Sequence, residues 1–384
     1  MRTARAERLH IGIFGNRNAG KSSLLNSLTG QEVAIVSEVK GTTTDPIYKA
    51  MEIPGLGPVV FIDTAGIDDF GDLGAMRAEK SKKVIDKCDA FIYLLSPEDD
   101  FYKELEEKGK PIIYLVAKAD LEGQEKLFEE YRTLSPLAFI SGDDKSKKLL
   151  LNQLRKRLGK KEERTITQGL VNKGDVVLLV TPQDIQAPKG RLIMAQVQTI
   201  RELLDKKALV VISGVDNLGQ MLETLKKSPD LVITDSQYFK EVSTIIPIET
   251  RLTSFSVLFS AYKGDLGYFI ESVKVLDEIE KVDKILIAEA CSHPPLEEDI
   301  GRVKIPNLLK KKFNKDFDFT FASGDDFGDL EIYDLIIHCG SCMFNRSHLI
   351  NRVDQARDMN IPMTNYGIVI AYLQGILSDV VLPE

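Results

Sequence analysis

Cysteine and histidine are scarce in this chain, with four of each among 384 residues. So few cysteines cannot build a disulfide framework, which points to a reducing cytoplasm and a fold resting on apolar cores. No apolar run reaches the ~18 residues that a membrane-spanning helix needs. No apolar stretch of the signal-peptide kind follows Met1-Arg2-Thr3-Ala4-Arg5, so none is expected. Excess positive charge is missing too. The net charge of −8 argues against a general nucleic-acid binder, which would carry a basic patch or stripe. Fixed-period repeats and low-complexity tracts are also lacking. What is present is the composition of a globular protein long enough for two or three domains.

The few cysteines are not scattered. Three of the four, with two of the four histidines, lie in Cys291-Ser292-His293 and His338-Cys339-Gly340-Ser341-Cys342. Thiolates so concentrated suggest a soft-metal site. Three are one short of the four that usually hold an iron–sulfur cluster, leaving a weaker fourth ligand or an open iron. His293 and His338 are the nearest imidazoles, as ligands or as hydrogen-bond partners of a cluster. Glu297, Glu298 and Asp299 follow the stiff Pro294-Pro295 pair and offer oxygen, a hard and easily displaced donor. Structural zinc on three cysteines and one histidine is a competing reading. Three metal-free cysteines at strand ends is another. Cys88 reads as a small buried residue, and His348 as a surface position on a helix.

Patterning along the chain gives an α/β class throughout. Strands are predicted at Leu9–Phe14, Val59–Asp63, Ala90–Leu95 and Ile112–Ala117, within a doubly wound domain over residues 1–162. The charged run Lys160-Lys161-Glu162-Glu163-Arg164 reads as a linker. A middle domain, 165–264, carries strands at Val176–Val180, Leu209–Ser213 and Leu231–Thr234. Its helices are predicted at Leu192–Leu204 and Leu218–Lys227. It has no cysteine, histidine or phosphate loop, which suits a structural or self-association domain. A third domain, 265–384, has strands at Lys284–Ala290 and Leu335–His338, each ending at a cysteine group. Open parallel sheets bind ligands beyond the carboxyl ends of their strands. Neighbouring strands lie ~4.8 Å apart, so separate strands can bring three thiolates to one rim.

Gly15-Asn16-Arg17-Asn18-Ala19-Gly20-Lys21-Ser22 fits Gly-x-x-x-x-Gly-Lys-Ser, after an apolar strand and before a helix predicted over Ser22–Leu28. The backbone from Gly15 to Ser23 would wrap phosphates at a helix N-terminus. Lys21 would meet the β- and γ-phosphates, and Ser22 would ligate Mg²⁺. Asp63, in Asp63-Thr64-Ala65-Gly66, would hold Mg²⁺ through water, and the Gly66 amide would sense the γ-phosphate. Thr43 in Gly41-Thr42-Thr43-Thr44-Asp45 is the candidate switch threonine, with Thr42 and Thr44 as rivals. Lys118 and Asp120 form the guanine-selecting loop Ala117-Lys118-Ala119-Asp120. Adenine lacks the donor pair that satisfies such an Asp, and an unpaired buried carboxylate is costly. Ala117 stands where GTPases usually carry Asn. Ser141-Gly142 is similar to the last guanine loop.

These motifs resemble the Era/TrmE-like GTPases over about residues 8–160. The resemblance implies a slow GTP hydrolase that uses Mg²⁺. Asn18 matches the asparagine that helps hold K⁺ in the potassium-activated members. Ile67 stands where Ras-like proteins carry a water-positioning Gln, with Asp68 and Asp69 as candidate helpers. Cys291-x-His293, 44 further residues, then His338-Cys339-x-x-Cys342 resembles the cluster motif of the HydF family of FeFe-hydrogenase maturation GTPases. Met343-Phe344-Asn345-Arg346 and Thr364-Asn365-Tyr366-Gly367 are similar to that family too, and the resemblance spans the whole chain. It implies a 4Fe–4S cluster on Cys291, Cys339 and Cys342, and a homodimer. It also implies a transient di-iron cargo, built with radical-SAM enzymes and passed to apo FeFe-hydrogenase. The alternatives are a ribosome- or RNA-linked GTPase with a structural Cys/His site, and a redox sensor whose cluster gates GTP hydrolysis.

Overall fold

The computed structural model describes residues 8–29, 46–64, 84–159, 164–182, 192–290, 299–324, 327–341 and 344–383. The chain divides into two compact units, Met1–Glu162 and Glu163–Glu384. Both are α/β. Among the described residues, no helix is long and apolar enough to cross a membrane.

The first unit holds β1 (Leu9–Gly15), β2 (Ile47–Ile53), β3 (Gly57–Asp63), β4 (Ala90–Leu94), β5 (Ile112–Ala117) and β6 (Leu137–Phe139). They form one sheet in the order β2-β3-β1-β4-β5-β6. Only β2 runs antiparallel to its neighbour. β4 and most of β1, β3 and β5 are buried. Continuous apolar runs rather than alternation follow from a sheet covered on both faces. The helix Asp144–Leu158 buries Leu150, Leu154 and Leu158, spaced to share one face. Asp143 caps it by accepting the Ser146 amide.

The second unit has two four-stranded parallel sheets. One contains β7 (Val176–Val180), β8 (Leu209–Ser213), β9 (Leu231–Thr234) and β10 (Arg251–Ser254), in the order β10-β9-β7-β8. The other contains β11 (Lys284–Glu289), β12 (Asp318–Ser323), β13 (Leu335–His338) and β14 (Met363–Asn365), in the order β12-β11-β13-β14. Leu178 and Val232 of the first sheet share an apolar core with Ile285, Ile287, Leu335 and Ile337 of the second. The helix Phe255–Lys263 packs against the helices Arg346–Asp358 and Tyr366–Gln374.

Two expectations from the sequence are corrected. His348, expected at the surface, is buried, with its ring stacked on Phe344 at a centroid distance of 3.9 Å. Its helix turns His348, Leu349, Arg352 and Val353 inward, so polar rings and a guanidinium occupy positions that apolar periodicity does not mark. The helix predicted over Leu218–Lys227 ends at Thr224, because Leu225 is already extended.

Candidate functional site

β1 is central in its sheet, paired with β3 on one side and β4 on the other. The carboxyl end of β1 therefore lies at a switch point, where such sheets bind ligands. Gly15 ends the strand with φ +143, and a Cβ there would meet the Leu94 carbonyl at 2.6 Å. Asn18 and Gly20 continue the loop at φ +62 and +104. The Ala19 amide donates to the Asn16 carbonyl, and the Leu24 amide to the Gly20 carbonyl. Lys21 is buried, and its Nζ donates to the carbonyls of Gly15 at 2.8 Å and Asn16 at 2.7 Å. Ser23 is exposed on the same helix. Ser22 Oγ donates to Asp63 Oδ2 at 2.7 Å. Asp63 Oδ1 is buried with no hydrogen-bond partner. Burial raises the Asp63 pKa, against the Ser22 hydrogen bond and the Lys21 charge. A carboxylate oxygen left unsatisfied beside a hydroxyl is a donor set suited to Mg²⁺. Thr43 and Gly66 lie outside the described residues, as do Thr42, Thr44, Ile67, Asp68 and Asp69.

The loops after β5 and β6 open on the same sheet edge. Lys118 is left-handed, with φ +54, and its Nζ donates to the Asn18 carbonyl at 3.4 Å. The Ala119 amide donates to the Phe139 carbonyl at 3.3 Å, tying this loop to β6. Asp120 and Ser141 are exposed at the rim. The Gly142 amide donates to Ser27 Oγ at 3.4 Å. A Cβ on Gly20 would sit 3.5 Å from the Ala117 Cβ. The lysine bond to Asn18 thus links the two loops where Ala117 has no polar group to do so.

The cysteine site lies at the switch point of the second unit's last sheet, where β11 has β12 on one side and β13 on the other. Ala288 pairs with His338, and the Cys339 amide donates to the Ala288 carbonyl at 2.9 Å. The Ala290 amide donates to Cys339 Sγ at 3.1 Å. The thiol of Cys339 is thus held by the residue that precedes Cys291. Cys291, Cys342, His293, Glu297 and Glu298 lie outside the described residues. Among the described residues, no three His, Cys, Asp or Glu side chains form a metal-holding group.

His338 ends β13, directly before Cys339. It is fully buried. Its Nδ1 lies 2.8 Å from the Cys339 carbonyl and donates to it. Its Nε2 lies 2.7 Å from Arg352 Nη1 and accepts from it. Arg352 is sandwiched by Phe327 and Phe344, at 4.6 and 4.8 Å from the ring centres. Burial, then the Arg352 charge, push the imidazole down to about 3, so the ring is neutral. Both nitrogens are engaged, and no lone pair is left for iron. His338 braces the Cys339 loop.

Lys263 was not singled out by the sequence. It is 2% exposed, and its Nζ donates to the carbonyls of Ser341 at 3.2 Å and Phe344 at 2.9 Å, on either side of Cys342. Arg346 donates back to the carbonyls of Lys263 and Gly264. A lysine ending an apolar helix looks like an ordinary charge at a helix C-terminus, so no local signal marked it.

Known proteins divide the chain in a similar way. Residues 10–118 match the 50S ribosome-binding GTPase family. Residues 166–264 match the hydrogen maturase F dimerization domain, and residues 267–383 the hydrogen maturase F tetramerization domain. The tRNA modification GTPase MnmE of Mannheimia succiniciproducens is 32% identical over 167 residues, which is 40% of this chain and 36% of that protein. GTPase Der of Wolinella succinogenes is 41% identical over 103 residues, 26% of this chain and 22% of that protein. The chain therefore covers 36% and 22% of these relatives' lengths. Among solved structures, Aquifex aeolicus Era bound to GDP and AlF4⁻ shows 18% identity and a TM-score of 0.34, over 62% of this chain and 97% of Era. The chain belongs to the hydrogen maturase F family, with a GTPase head of the Era/TrmE type ahead of that family's dimerization and tetramerization domains.

Proposed function

We propose that this chain is a GTP hydrolase and iron–sulfur scaffold that carries the di-iron unit of FeFe-hydrogenase during maturation. The observation that carries this reading is the Ala290 amide on the Cys339 thiol, with Cys291 next in sequence, at the switch point of a parallel sheet. Cys291, Cys339 and Cys342 would hold a 4Fe–4S cluster. Bound there by three thiolates, the cluster would supply one iron with an exchangeable ligand, as docking of a second metal fragment requires. His293, Glu297 and Glu298 remain candidates for that fourth position. The di-iron cargo is then a substrate, taken from radical-SAM enzymes and passed to the apo-hydrogenase. Residues 1–162 bind GTP and Mg²⁺ through Lys21, Ser22 and Asp63. Residues 165–264 associate two copies, and residues 265–384 carry the cluster. The γ-phosphate would order the segments of Thr43 and Gly66 as a switch. K⁺ against Asn18 would speed hydrolysis by offsetting charge in the transition state. Equal turnover in K⁺ and Na⁺ at matched ionic strength would refute that last point.

The deciding experiment is iron and sulfide analysis with electron paramagnetic resonance (EPR) of anaerobically reconstituted protein. A 4Fe–4S signal is expected, lost in Cys339→Ser together with maturation activity. Zinc without sulfide would overturn the scaffold reading in favour of a structural site. GTP turnover that changes severalfold on removal of the cluster would favour a redox sensor.

A further inference from the structure

Tyr366 belongs to a motif that the proposed function leaves without a role. It stands one residue past β14, as Cys339 stands one residue past β13. These strands are parallel neighbours, with His338 opposite Asn365. Tyr366 and Cys339 are therefore side by side at the carboxyl rim, and Ala290 lies on the other side of Cys339. Asn365 fixes where the tyrosine begins, capping the helix Tyr366–Gln374 by accepting the amides of Gly367 and Ile368.

The Tyr366 hydroxyl is buried and has no hydrogen-bond partner. A phenol carries a donor proton, and a buried donor left unmade is costly enough that native folds rarely keep one without a reason. The space around it is shaped to admit it. A Cβ on Gly301 would lie 2.0 Å from the hydroxyl oxygen and 3.1 Å from Glu289 Oε1. Glu289 Oε1 faces the same gap without bonding the hydroxyl, while Oε2 accepts from Arg302 and Ser323.

We propose that Tyr366 donates its hydroxyl hydrogen bond to sulfur on the Cys339 side of the cluster, as a positioning residue that favours the reduced state. A donor to sulfur stabilises the added negative charge and raises the potential. The proposal rests on the cluster reading above. Its test compares full-length wild type, Tyr366→Phe and Gly301→Ala by redox titration followed by EPR, and by electron–nuclear double resonance in H₂O and D₂O. Tyr366→Phe is expected to keep iron, sulfide and GTP turnover. Its reduced fraction, poised at the wild-type midpoint, should fall severalfold, and one exchangeable proton coupling should disappear. Gly301→Ala, which must displace the hydroxyl, should shift the potential the same way. A wild type without sulfide-bound iron would overturn both readings. A wild type with its cluster, whose potential and proton coupling survive Tyr366→Phe, would overturn this one alone. Loss of iron from a folded Tyr366→Phe protein would also overturn it, making the tyrosine a ligand or a structural prop.

Discussion

Lys263 shows what one side chain can hold. Its ammonium bridges two carbonyls that bracket Cys342. Truncating it would strand buried acceptors, each worth about 1–3 kcal/mol. Lys263→Met is expected to lower unfolding stability by about 2 kcal/mol and to reduce iron retention. Denaturant titration and metal analysis measure both, and unchanged iron content would remove the clamp. In the first unit, Ala117 leaves the Lys118 bond to Asn18 as the tie between the phosphate and base loops. Ala117→Asn should tighten GTP severalfold. GTP should still outcompete ATP in both proteins because Asp120 is unchanged, and equal affinities in a nucleotide titration would remove Asp120 from base selection.

At the scale of an element, the helix Leu266–Val273 depends on its first turn. Asp265 accepts the Tyr268 amide at 3.0 Å and pairs with Arg357 of the helix Arg346–Asp358 at 2.7 Å. Burial alone would raise its pKa, but the amide and the guanidinium hold it below the usual carboxylate range. The sign follows directly. A lowered folded-state pKa gives stability that is present above the unfolded value of about 3.9 and lost as pH falls below it. Asp265→Asn keeps a capping side chain and loses the charge, so it should cost about 0.5 kcal/mol at pH 7, and the gap to wild type should narrow below about pH 4. A gap that persists to pH 2 in urea titrations would mean that the charge is not what matters. The same scale shows where patterning was readable. β4, β5 and β7 are continuous buried runs and were predicted within a residue. β6 and β14 are three residues long, and β12 is mostly exposed or partly exposed at a sheet edge. Too few side chains there face a core to leave a period.

Across the whole molecule, Lys21 and Cys339 belong to different compact units. Lys21→Ala should abolish GTP turnover and leave iron bound, and Cys339→Ser should do the reverse. A folded Lys21→Ala protein without iron would contradict that layout. β8 is one of the two edge strands of its sheet, and Leu209 is 59% exposed there and Ile212 43%. Exposed apolar edges invite pairing with another chain, and this strand lies within the match to the dimerization domain. Leu209→Lys should shift the protein toward monomer in light scattering, and an undisturbed oligomer would place the interface elsewhere.

The amino-acid sequence by itself determined the chemistry available at each site. A glycine loop ending in Lys21-Ser22 and cysteines grouped in two short windows are local patterns, each written in neighbouring residues. Tertiary structure decided what the surrounding residues do. His338 was open to two roles, ligand or hydrogen-bond partner, until Arg352, fourteen positions on, occupied its second nitrogen. Lys263 acts on carbonyls 78 and 81 positions away. Tyr366 meets Gly301 only because β11, β13 and β14 lie side by side. Hydrogen bonds and close contacts between distant positions leave no periodicity in either partner's neighbourhood. They exist only once the strands have set their register and burial has removed water as the alternative partner.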